Sequence, residues 1–283
     1  MTGLIIGAII ISFSSVMVKL ADVPPDVIGF YRLFVGGLGM LVILWRMGKI
    51  SSLTPRVWKW ALPGAVFFAL DFVGWHRAIP LVGPGMATML ANFQVIILAL
   101  VSILFFKEKA SRTLLFAIPM ALVGLYLMVG VSWASFTPAY KFGVGCGLFT
   151  ALAYALYLLS LKFSLSRTGA DPLPMATAVA LLTGLLLAGL ALAQSESFVI
   201  PDTRSLLALG ALALICHAGG WYLITRAIQQ VKTSLVGLIL LLQPTLSYVW
   251  DMLFFNKPTN AIELTGVGLA LLAIYLGSLK EKE

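Results

Sequence analysis

The sequence predicts an all-α polytopic membrane protein: ten transmembrane helices, built as two inverted five-helix repeats with both termini cytoplasmic. Three observations carry that prediction. Hydrophobic residues make up 60% of the 283 and charged ones only 11%, whereas roughly a quarter of a soluble domain is charged. The apolar residues gather into ten runs, each close to the ~20 residues a helix needs to cross the hydrocarbon. A segment of the first half, Arg77 through Leu127, recurs in the second half at a constant offset. With a mean hydropathy of +1.02, there are too few polar side chains to cover a soluble globule. Intrinsic disorder is excluded by the same composition.

Read from one polar interruption to the next, the first half holds the runs Gly3–Lys19, Pro25–Arg46, Val57–His76, Gly85–Phe106 and Thr113–Val131. The second half holds Gly143–Phe163, Pro172–Ala193, Ser205–Thr225, Thr233–Phe255 and Glu263–Leu279. Solid apolar runs of this kind are helical, because a membrane barrel shows period-two segments of about 10 residues. The first run has no basic segment before it and no small-residue cleavage pattern after Lys19, so it is expected to be retained as a helix. The spans leave only short loops, and the two repeats are placed at 1–131 and 132–283. Cys146 and Cys216 both lie inside apolar runs and are read as small packing residues. Neither a disulfide framework nor a metal motif is visible, and no cofactor is expected.

The basic residues set the orientation. With the N-terminus inside, the cytoplasmic loops and tail hold thirteen of them, from Arg46, Lys49 and Arg56 to Lys280 and Lys282. The other side holds six: Lys19, Arg32, Arg77, Lys141, Arg204 and Lys257. The net charge of 19 − 11 = +8 therefore reads as topology, and no nucleic-acid partner is expected. The partners are the lipid bilayer and a small-molecule substrate, with the chain a monomer or homodimer.

The repeat runs without a gap from Arg77-Ala78-Ile79 through Tyr126-Leu127 onto Arg226-Ala227-Ile228 through Tyr275-Leu276, at an offset of 226 − 77 = 149. Along it Val82 meets Val231, Gln94 meets Gln243, and Leu104-Phe105-Phe106 meets Leu253-Phe254-Phe255. Five spans per half is an odd number, so the second half enters the membrane inverted. The charges agree, since Lys107-Glu108-Lys109 on the predicted inside becomes Asn256-Lys257-Pro258 on the predicted outside. Inverted repeats place a substrate site near the midplane, and rocking of the halves gives alternating access.

These residues resemble the drug/metabolite transporter superfamily, in particular its ten-helix members with two EamA domains. The matching features are Tyr31-Arg32-Leu33, Ala78-Ile79, Phe105-Phe106-Lys107-Glu108, Gly124, Gln243-Pro244 and Gly266. The sequence departs from the family in carrying Gln94 where a proline is frequent and Lys257 where a glutamate is common. Relatives include amino-acid and metabolite exporters and exchangers of nucleotide sugars or triose phosphates. The resemblance implies a secondary transporter, with a cavity lined by the first, third, fourth, sixth, eighth and ninth spans, in a bacterial cytoplasmic (inner) membrane.

Polar groups inside spans are costly and tend to face the bundle interior, and helical spacing shows which share a face. Gln243, Ser247 and Asp251 form one stripe beside Tyr248. Thr150, Tyr154 and Tyr157 form another, and His217 and Trp221 lie one turn apart. The third span offers Asp71, Phe72, Trp75 and His76; the fourth offers Asn92 and Gln94; the first offers Ser12, Ser15 and Lys19. Asp71, Asp251, His76 and His217 are the candidates for proton coupling. Gly83-Pro84-Gly85, Gly219-Gly220 and Pro244 are the candidate hinges. Lys19, Arg32 and Arg77 are read as snorkelling to an interface, and Trp45, Trp58, Trp60 and Trp133 as interfacial anchors. The repeat axis is expected to bring Gln94 and Gln243 together at mid-membrane.

An aromatic, amide-rich site with few fixed charges suits a small amphiphilic solute, such as an amino acid, a related metabolite or a drug. Dense phosphates, as in a phosphorylated metabolite or nucleotide sugar, call for several converging arginines or lysines. An intramembrane enzyme is disfavoured, because no HExxH pair, GxSxG frame or Walker loop is present. A channel would carry a carbonyl filter or charge ring, and neither is legible.

Overall fold

The computed structural model describes residues 2–104, 112–228 and 239–278, and all regular structure among them is helical. Seven stretches are each long and apolar enough to cross a membrane: Thr2–Leu20, Pro25–Arg46, Pro55–Val82, Phe116–Ser135, Pro138–Thr168, Pro172–Ala193 and Thr203–Ile224. The fourth span is described as Pro84–Ala91 followed by Gln94–Leu104, the ninth as Leu242–Phe255 and the tenth as Ala261–Ser278. The expected Lys107-Glu108-Lys109 loop, Val231, the start of the ninth span and Leu279 lie outside the described residues.

Two spans run further than the sequence predicts. The third continues past His76 to Val82, because Arg77 is neutralised on the spot by Asp26 and need not end the helix. It stops at Gly83, whose φ of +91° is a conformation that side chains disfavour. The sixth begins at Pro138, with Thr137 capping it through the Tyr140 N–H at 3.2 Å. Asp202 caps the eighth span likewise. It accepts from the Ser205 N–H at 2.7 Å, and that bond holds its carboxyl below the usual range.

Polar contacts among the connections sort them into two ends. At one end Asp22 N–H meets the Ser205 hydroxyl, and Arg77 binds Asp26 through two 2.6 Å hydrogen bonds while Gln194 adds a third at 2.7 Å. At the other end Lys49 pairs with Asp171 at 2.9 Å and Arg56 donates to the Arg167 carbonyl at 2.6 Å. The first end is the predicted outside and the second the predicted cytoplasmic face.

Packing between the halves is exchange-symmetric. The third span packs along the sixth, and the eighth along the first; the fourth meets the sixth, and the ninth the first. The seventh touches the third as the second touches the eighth. Three pairs map onto themselves, namely the second with the seventh, the fourth with the ninth and the fifth with the tenth. The last crossing is lined by small residues. Ala117, Ala121 and Gly124 on one helix face Gly266, Ala270 and Ala273 on the other, all buried and related by the same offset of 149. Small residues let two helices approach until backbone touches backbone. A Cβ added at Gly266 would lie 2.8 Å from the Gly124 carbonyl oxygen.

Candidate functional site

The fourth and ninth spans are both interrupted, and at matching places. The fourth breaks at Asn92–Phe93 and the ninth at Leu241, positions that the offset of 149 superposes. Around the first break Phe93 N–H bonds the Leu90 carbonyl and Val95 N–H the Asn92 carbonyl, a tightened i→i−3 turn. Asn92 Nδ2 donates to the Thr88 carbonyl at 2.8 Å, which also accepts the Asn92 backbone N–H. Each break is followed within two residues by a glutamine, Gln94 or Gln243. Helices interrupted at corresponding points of two repeats are a general pointer to a binding site in membrane proteins.

Both glutamines line one central cavity of about 150 Å³. Asn92 and Thr88 join them from the fourth span, Ser247 from the ninth and Trp221 from the eighth. The third span supplies Phe68, Asp71, Phe72 and Trp75; the sixth supplies Thr150 and Tyr154. The first contributes Ile11, Ser12, Ser14 and Ser15. Phe72 and Trp221 are themselves separated by 149, as Gln94 and Gln243 are.

Arg32 was expected at an interface and is not there. It is buried, 6% exposed, and lines the same cavity. Its guanidinium lies 4.7 Å from the Phe72 ring centre and 5.1 Å from that of Trp75. Among the described residues its Nε and Nη1 have no hydrogen-bond partner. The helix around it, Tyr31–Val35, is widened to π geometry, and it packs on a second such stretch, Ala211–Gly220, in the eighth span. Arg32 sits about 10 Å inside a span that begins at Pro25, at 1.5 Å per residue, so depth was legible in the sequence. What the sequence hid was the aromatic pair that receives the side chain.

Other expected site residues lie behind or beyond this wall. Tyr157 stacks on Phe68 at 4.2 Å and is buried in the aromatic core. His76 packs against Phe72 and Trp75 on the side of Gly29. His217 fills the space beside Gly36, where a Cβ would come within 2.8 Å of its Cδ2. The phenol of Tyr248 donates to Glu263 at 2.6 Å, and its backbone is pressed on Gly85, leaving no room for a Cβ there. Of the candidate hinges, Gly83 ends the third span. Gly220 packs on Ile11, and Pro244, which has no N–H for the Leu240 carbonyl, lies three residues after the break at Leu241. A Cβ at Gly219 would meet only the Leu214 carbonyl, at 3.3 Å.

The polar stripe of the ninth span is divided. Gln243 and Ser247 face the central cavity, whereas Asp251 faces a second cavity of about 370 Å³ at the predicted outer end. Between them Ser247 hydrogen-bonds Ser15 and lies 3.2 Å from the Thr88 hydroxyl. Asp251 Oδ2 accepts the Gly85 N–H at 3.0 Å. Lys19, also expected to snorkel, is 31% exposed and stands over the Phe255 ring on this outer side.

A family model of EamA-like transporters matches residues 1–130 and 141–279. No curated protein matches the chain. A solved crystal structure of a protein is similar in fold, with 22% identity, 96% of each chain covered and a TM-score of 0.66.

Proposed function

The chain belongs to the EamA-like transporter family and is an integral membrane transporter; from that premise we propose that it carries a small amphiphilic metabolite by alternating access. The solute class is an amino acid, a related compound or a drug, and the direction is export across a bacterial cytoplasmic membrane. The supporting observation is Arg32, held over Phe72 and Trp75 with guanidinium nitrogens unpaired and the amides of Asn92, Gln94 and Gln243 on the same cavity.

The chemistry follows from that arrangement. Aromatic faces hold the guanidinium without consuming its donors, so the N–H groups stay available for an anionic or carbonyl group of the solute. The amides orient its polar end and the rings take its apolar body. Arg32 is the one basic side chain among the described residues lining this cavity, and Arg77 is already committed to Asp26. A phosphate ester or nucleotide sugar would want more converging cations. Asp71 on the same wall supplies a site for a solute ammonium or for a coupled proton.

Reconstituted proteoliposomes test this directly. Saturable uptake of radiolabelled L-phenylalanine with counterflow is expected. Non-saturating conductance would instead mark a channel, and transport of sugar nucleotides with exclusion of amino acids would overturn the solute class.

A further inference from the structure

The outer cavity contains two acid–base pairs of opposite character. Lys257 is paired with Glu263, which also accepts the Tyr248 hydroxyl, so that pair is closed. The other pair is open. Lys19 Nζ stands 3.8 Å from Asp251 Oδ1, beyond hydrogen-bond distance, and rests 4.3 Å from the Phe255 ring centre. Asp251 is 1% exposed, and its Oδ1 has no hydrogen-bond partner among the described residues. A buried carboxylate oxygen left unpaired is costly, and Lys19 still has donors to give.

We propose that this outer cavity is a second binding site, distinct from the central one, for the zwitterionic head group of a small amphiphile. Lys19, the part-exposed partner, turns to the solute carboxylate and uncovers the unpaired Asp251 oxygen for the solute ammonium, so two charge-assisted bonds replace one stretched ion pair. Leu81, Met128 and Phe136 on the cavity wall receive the apolar remainder. The Ser15–Ser247 contact and the Gly85–Tyr248 packing separate the two cavities, so a solute here is held outside the closed layer. The same Asp251 touches that layer through Gly85. The inference rests on the reading of the solute as a small amphiphile, but not on the role given to Arg32.

The test is calorimetric titration of the full chain in lipid nanodiscs with L-phenylalanine, phenethylamine and 3-phenylpropionate. Two classes of L-phenylalanine site are expected. Lys19→Gln and Asp251→Asn each weaken one class at least tenfold and spare the other, while Arg32→Met weakens only the spared class. The two analogues, each lacking half of the head group, bind the outer class at least tenfold more weakly. Lys19 is part-exposed, so Lys19→Gln keeps the test readable if Asp251→Asn fails to fold. Binding that both outer variants leave unchanged overturns the proposal, as does a single class abolished by Arg32→Met or no L-phenylalanine binding at all. A single class lost in Lys19→Gln but indifferent to Arg32→Met supports the outer site and overturns the central reading instead.

Discussion

Ser15 and Ser247 share a hydrogen bond between hydroxyls 232 residues apart in the chain, tying the first span to the ninth. Thr88 of the fourth span joins the same Ser247 hydroxyl at 3.2 Å. Three spans are thereby latched between the central cavity and the predicted outside, and opening to that side must break the latch. A hydrogen bond contributes about 1 kcal/mol net, so Ser247→Ala should raise the outward-open population about fivefold. A membrane-impermeant maleimide reads this as faster labelling of Asn92→Cys in a cysteine-free background. An unchanged labelling rate would show that the layer is packing and not a gate.

The arginine over two rings leads to a second expectation. Lysine keeps the charge but loses the planar fork and its stacking, whereas methionine keeps the bulk and loses both. Cation–π contacts in desolvated sites are worth about 2 kcal/mol. Arg32→Lys should therefore cut transport roughly tenfold, and Arg32→Met should abolish it, with little change in the amount of folded protein. Phe72→Leu should resemble Arg32→Lys. Wild-type flux in Arg32→Met would remove Arg32 from the site.

Proton coupling has a clean readout because Asp71 and Asp251 serve different cavities. Asp71 faces the central cavity and Asp251 the outer one. If Asp71 carries the proton, Asp71→Asn should make uptake into liposomes indifferent to an imposed pH gradient, while Asp251→Asn keeps the response. Flux that ignores the gradient in the unmodified protein would mark a uniporter. Flux unchanged after neutralising both aspartates would exclude them as the coupling groups.

The spans and their repeat were legible because apolar runs and a constant offset survive without any knowledge of packing. The offset even placed Gln94 and Gln243 on one cavity. Which polar residues face that cavity was less legible, and the reason is physical. Helical spacing identifies a stripe but not what covers it. Ser247 and Asp251 share a stripe, yet the Ser15 contact assigns them to different cavities. His76, His217 and Tyr157 satisfy the same spacing and face neighbouring helices. Arg32 failed in the opposite sense, because a long side chain near a helix end has two destinations, and only the third span, with Phe72 and Trp75, decides between them. Pro244 marked the right neighbourhood, since a proline has no N–H for the carbonyl four residues before it and the ninth span breaks at Leu241, but the matching break at Asn92–Phe93 has no proline after it and was not legible.

The crossing of the fifth and tenth spans offers a stability test with its control in the same helix. At Gly266 an added methyl would meet the Gly124 carbonyl oxygen and the Met128 nitrogen, each at 2.8 Å. Both are backbone atoms and cannot swing aside, so the helices must separate. At Gly268 an added methyl meets nothing within 4 Å. Overpacking of this kind costs about 1–3 kcal/mol, while replacing an open helical glycine by alanine gains up to about 1 kcal/mol. Gly266→Ala should therefore lower the melting temperature in detergent, and Gly268→Ala, two residues on, should leave it unchanged or raise it. The reciprocal change Gly124→Ala should reproduce the loss, because its methyl would lie 2.8 Å from the Ala270 nitrogen across the same crossing. Equal melting temperatures for Gly266→Ala and Gly268→Ala would mean that the two spans do not meet backbone to backbone.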